Sequence, residues 1–99
     1  MIKKYLELQI DWSNRVFGSG PRTIGIIKHI EKELQEIQAS PQDLSEWIDV
    51  VILALDGYWR AGGTPETIER DLWMKQNIIF RRQYPFPASQ NEPSEHIES

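Results

Sequence analysis

Two pairs of carboxylates stand out in the chain: Glu33 with Glu36, and Glu46 with Asp49, each pair three residues apart. At that spacing both members of a pair share one face of a helix. Like charges so placed repel, and Asp49 lies between Ile48 and Val50 in the most apolar stretch of the chain. An unpaired carboxylate is costly there, so something positive must compensate it. Two antiparallel helices facing one another would gather four hard oxygen donors, a set that suits Mg2+, with Mn2+ an acceptable substitute. From spacing alone a second arrangement serves equally well. In it Glu33 and Glu36 form a solvated face with Lys28 and Lys32, Glu46 is exposed, and Asp49 pairs with an arginine.

The elements that must position these acids follow from apolar spacing and punctuation. Four segments show helical periodicity, none shows a convincing strand alternation, and there is no internal repeat. The class expected is therefore all-α. The first helix runs from about Ile2 to Phe17 and places Tyr5, Leu8, Trp12 and Val16 on one face, until Gly18-Ser19-Gly20-Pro21 breaks it. The second, about Arg22 to Ala39, carries a stripe of Ile26, Ile27, Ile30, Leu34 and Ile37. Ser40 can cap a third helix with Pro41 at its first position. This helix, extending to about Ala61, is apolar on nearly every side and is expected to be the most buried. Gly62-Gly63 stops it, and a fourth helix is expected from about Pro65 to Arg82. Short connections make sequential neighbours antiparallel, as in a four-helix bundle.

Composition narrows the function. Ninety-nine residues give one small domain with no room for a separate cofactor fold. There are no cysteines, so disulfides, thiolate metal sites and a cysteine nucleophile are excluded, and an intracellular, cytoplasmic setting is expected. Neither a membrane span nor an export signal is expected from the sequence. A net charge of -4 argues against duplex nucleic acid as a main partner. It leaves room for a phosphorylated small ligand held through a metal. Residues 1–85 form the expected domain, and 86–99, rich in Ser, Asn, Glu and Pro, the expected mobile tail.

The sequence resembles the MazG-like all-α nucleoside triphosphate pyrophosphohydrolases, most closely their dATP/dGTP branch. The likeness rests on Glu33-Leu34-Gln35-Glu36 and Glu46-Trp47-Ile48-Asp49 as ExxE and ExxD motifs on consecutive helices. It extends through Phe17-Gly18-Ser19-Gly20-Pro21-Arg22-Thr23, His29 to Leu34, Glu46 to Gly57 and Trp59 to Gly62, covering roughly Trp12 to Pro85. The resemblance implies a MazG-type fold and cleavage of a triphosphate between its α- and β-phosphates, giving monophosphate and pyrophosphate. It further implies Mg2+ held by Glu33, Glu36, Glu46 and Asp49, and a dimer or dimer-based assembly. Chemistry of this kind is catalysed mainly by positioning and charge neutralisation.

Further residues extend this site. Arg22, His29 and Glu33 fall along one stripe of the second helix, with Arg22 placed for phosphate; His29 either orients a carboxylate or simply makes a local hydrogen bond. Asp56, seven residues after Asp49, projects from a similar side of the third helix. It faces the ligand or supports those that do, unless a cation on a neighbouring helix pairs with it. Trp12 offers a platform for a base, although tryptophans in small helical domains also serve as core. Lys75 and Arg82 match the basic residues of the family's last helix. The Lys-Asn pair expected there is replaced by Ile78-Ile79, which opens an alternative: a catalytically weak nucleotide-binding or assembly module. An apolar third helix together with Tyr58, Trp59 and Trp73 would leave a large exposed patch on a monomer, so a homo-oligomer is expected.

Overall fold

Each helix begins and ends where local chemistry dictates, and the computed structural model, which describes residues 1–87 and 89–97, shows four of them: α1 (Ile2–Phe17), α2 (Thr23–Ala39), α3 (Leu44–Arg60) and α4 (Ile68–Arg81). Among the described residues there is no strand, only one isolated bridge between Gln83 and Ile97. The all-α class is as expected. No helix is long and apolar enough to cross a membrane.

The helix starts differ from expectation for identifiable reasons. Ser40 does not cap α3. Pro41 and Gln42 occupy a turn, and the Asp43 carboxylate accepts from Ser45 N at 3.0 Å and Ser45 Oγ at 2.6 Å. The first helical residue is therefore Leu44, not Pro41. α4 likewise begins at Ile68 rather than Pro65. The Thr67 hydroxyl accepts from Thr64 N and donates to Thr64 O, which closes a turn ahead of the helix. α1 ends at Gly18 (φ 83°), and Gly20 follows at φ 96°; both lie in the region that glycine alone enters freely, and they reverse the chain into α2.

The chain divides into two compact units, residues 1–68 and the remainder from Glu69. In the first unit the α1 side chains Gln9 and Ser13 bond to Ile52 and Asp56 of α3. Positions advance together, so α1 and α3 run parallel, with α2 antiparallel to both. α2 packs closely along α3, and α1 also approaches α3, but the backbones of α1 and α2 do not come close. The gap between them becomes the cavity described below. Leu6, Leu55 and Ile68 form the core, with Ile2, Ile10, Tyr58 and Trp59 around it.

Burial corrects one expectation and sharpens another. On α1 the covered face is Leu6, Gln9 and Ser13, while Leu8, Trp12 and Val16 are exposed. Two polar residues are buried there because each has a hydrogen-bond partner on α3. α3 has the smallest share of exposed residues of the four helices, as expected, but few of its side chains are fully covered. Only Leu55 and Asp56 are buried on it, and Leu44, Trp47, Ile48, Val51 and Ile52 are exposed. Its neighbours α1 and α2 cover part of its circumference and leave the rest open.

In the second unit, Leu72, Trp73, Met74 and Phe80 of α4 are exposed. Beyond it the chain folds back: Ser94 Oγ donates to Pro85 O at 3.0 Å, and the Tyr84 and His96 rings meet edge-on. The tail expected over 86–99 includes Ala88, Glu98 and Ser99, which lie outside the described residues.

Candidate active site

The antiparallel packing of α2 on α3 brings the two carboxylate pairs together. Ligand oxygens of Glu33, Glu46 and Asp49 all lie within 4.8 Å of one another. Glu36, half-buried on the same face, stands within hydrogen-bonding reach of both Glu33 and Glu46. Glu33 is 7% exposed. The solvated arrangement with Lys28 and Lys32 is not formed: among the described residues the ion pair at this end is His29 Nε2 to Glu33 Oε1, at 3.3 Å.

Crowding shows in the acids' proton affinities. The hydrogen bond with Glu36 raises the Glu33 pKa, helped by burial and by the charges of Glu36 and Asp49, against a smaller opposing pull from His29. Burial pushes Glu46 up to about 7, with Glu36, Asp43 and Glu33 adding to the rise. Burial and the neighbouring acids thus favour the protonated form of both carboxylates. Glu33 Oε2 and Glu46 Oε2 are buried with no hydrogen-bond partner. Two orphaned oxygens in a ring of hard donors fit a divalent cation such as Mg2+.

From these acids a cavity of about 290 Å³ runs along the gap between α1 and α2. Asp49, Ile52 and Asp56 line it in succession along α3, opposite Glu33, His29 and Arg22. Seven residues of α3 separate its two ends, about 10 Å of helix. Trp12 of α1 meets Phe17 edge-on at 5.5 Å, and the Arg22 guanidinium lies 4.5 Å over the Phe17 ring. Aromatic faces and a cation therefore form the wall at the loop end.

At that end Asp56 is also buried, but its charge is matched. Its Oδ1 accepts from Ser13 Oγ (2.8 Å), Trp59 Nε1 (2.9 Å) and Arg60 Nε (3.2 Å). Arg60, its side chain 2% exposed, then donates through Nη1 to Gly18 O (2.9 Å) and Gly20 O (2.7 Å). One guanidinium thus ties the α1–α2 loop to the end of α3. The cation that pairs with Asp56 comes from its own helix, not from a neighbouring one.

Of the residues singled out in the sequence, Glu33, Glu46 and Asp49 meet directly, Glu36 adjoins them, and Trp12, Arg22, His29 and Asp56 line the same cavity. Lys75 lies exposed on α4 and Arg82 half-exposed just beyond it, both in the second unit. Arg60 and Ser13 were given no role from the sequence, nor were Gln9 and Phe17, although Arg60 and Phe17 stand in the stretches that carry the resemblance. The first two left a signal, an Asp-Arg pair at i, i+4 and a serine one turn from Gln9 on an otherwise apolar-facing helix.

The chain belongs to a family of all-α enzymes that hydrolyse nucleoside triphosphates. That family is the dATP/dGTP pyrophosphohydrolase family, whose model matches residues 5–99. It is therefore an enzyme of the nucleoside triphosphate hydrolase class. No curated protein and no solved structure gives a significant match.

Proposed function

We propose that the protein is a Mg2+-dependent pyrophosphohydrolase that converts purine deoxynucleoside triphosphates to monophosphate and pyrophosphate. The observation that carries this reading is the set of crowded acids beside a cavity with aromatic walls. Glu33, Glu36, Glu46 and Asp49 would hold the ion. When bound, it supplies charge neutralisation for the phosphate oxygens and acidifies a coordinated water. His29 steadies the Glu33 carboxylate through its Nε2 contact. Arg22, fixed over Phe17, offers positive charge to the triphosphate, and Trp12 offers a face to the base.

A homodimer or dimer-based assembly would cover Leu44, Trp47, Ile48 and Val51, which are all about half exposed or more in the single chain. The decisive assay incubates the protein with each deoxynucleoside triphosphate, with and without Mg2+, and resolves pyrophosphate from single phosphate. Pyrophosphate plus monophosphate, only with Mg2+, is expected. Orthophosphate release, or no release from folded protein, would overturn the reading and favour a nucleotide-binding module. Sedimentation as a monomer at micromolar concentration would remove the assembly.

A further inference from the structure

Gln9 is 7% exposed and lines the cavity. Its Nε2 donates to Ile52 O at 2.9 Å. A backbone carbonyl can only accept, so this bond fixes the amide with nitrogen toward α3 and oxygen away from it. That oxygen, Oε1, is buried and has no partner. A buried acceptor left unsatisfied costs stability unless something occupies it.

One turn further from the acids, Asp56 lines the same cavity. All three of its donors, Ser13, Trp59 and Arg60, converge on Oδ1, so none of them uses Oδ2. Gln9 Oε1 and Asp56 Oδ2 therefore give this part of the wall two acceptors that no donor among the described residues uses, while the Gln9 amide nitrogen is held toward α3 by its bond to Ile52 O. Trp12 and Phe17 line the same cavity and offer ring surface to a planar ligand.

We infer that Gln9 and Asp56 read the base and select guanine over adenine, an inference that rests on the nucleotide reading proposed above. Guanine presents two adjacent donors on its Watson–Crick edge, N1–H and the exocyclic N2 amine. With the phosphates at the acid end, Gln9 stands on the sugar side of the base and Asp56 beyond it. The N2 amine lies on the sugar side of that edge, so it falls to Gln9 Oε1, and N1–H falls to the Asp56 carboxylate. Adenine in the same position sets its N1 lone pair against the carboxylate and offers Gln9 only a C–H. A site built to receive hydrogen-bond donors rejects the analogue that lacks them, because its own groups are left unpaired.

The test compares dGTP, dITP and dATP as substrates, since hypoxanthine keeps N1–H and lacks the N2 amine. Expected is a kcat/KM for dGTP above that for dATP by about tenfold or more, with dITP between. In Gln9→Leu the dGTP and dITP values should converge, while loss of folding alone would lower all three together. Equal use of dATP and dGTP by the wild type, or an unchanged dGTP/dITP ratio in Gln9→Leu, would overturn the inference. The monophosphates separate it from the enzymatic reading. If no triphosphate is cleaved but dGMP raises the Tm more than dIMP and dAMP do, base selection stands and catalysis falls. If dGMP and dAMP act alike, the inference falls whatever the catalytic result.

Discussion

The cavity has a carboxylate problem at each end and solves it in opposite ways. At the loop end Asp56 is given a guanidinium, a hydroxyl and an indole N–H, all within 3.2 Å. At the other end Glu33, Glu46 and Asp49 crowd together with one histidine contact, and two of their oxygens have no partner at all. The two arrangements share a helix, since Asp49 and Asp56 are two turns apart on α3. Burying acid is therefore not in itself the sign of a reactive site. A compensated acid organises structure, whereas an uncompensated cluster persists because a ligand completes it.

Substitutions should separate the two ends. The largest effect belongs to the crowded end: Glu33→Gln or Asp49→Asn should lower turnover by about two to three orders of magnitude with the helical fold retained, as read by product assay and circular dichroism. Full activity in both variants would break the contrast. At the compensated end, Arg60→Ala strands the Asp56 charge and releases two loop carbonyls. It should cost about 3–5 kcal/mol of stability, read as a fall in Tm. An unchanged Tm would show that Asp56 needs no partner.

The smallest effect is the response of the metal-free protein to pH. Glu33 and Glu46 have raised pKa values in the folded state, so the native protein binds more protons than the unfolded chain above their ordinary value of 4.5. Their stabilising contribution is full below that pH and is lost as pH rises through about 7, the value for Glu46. Around them stand Glu36 and His29 on α2 and Asp43 and Asp49 at the start of α3. Asp43 works in the opposite sense but titrates lower, because Ser45 holds its carboxyl below the usual range. The Tm in chelator should thus decline across this window. Glu46→Gln should flatten the decline, and Mg2+ should offset it.

Much of this was legible in the sequence. Helical periodicity located all four helices, and the three-residue spacing of the acids was enough to place each pair on one face. What could not be read was which neighbours an exposed-looking residue would meet. Asp43 and Ser40 both qualify as caps, and only the turn at Pro41 decides between them. The stripe of Leu8, Trp12 and Val16 looked like the inner face of α1. The inner face is set instead by hydrogen bonds from Gln9 and Ser13 across to α3, a tertiary preference that apolar spacing does not record. The role of Arg60 was invisible for the same reason, since its partners lie some forty residues away in the α1–α2 loop.

That arginine grips its loop by backbone carbonyls, at Gly18 and Gly20, and takes no side chain of the loop as a handle. A hold of this kind is blind to the identity of the residue between them. Ser19 should therefore accept wide substitution, while position 60 accepts almost none. Those who wish to reshape the cavity mouth, by lengthening or charging the side chain at position 19, have a place where the scaffold imposes little constraint on the choice.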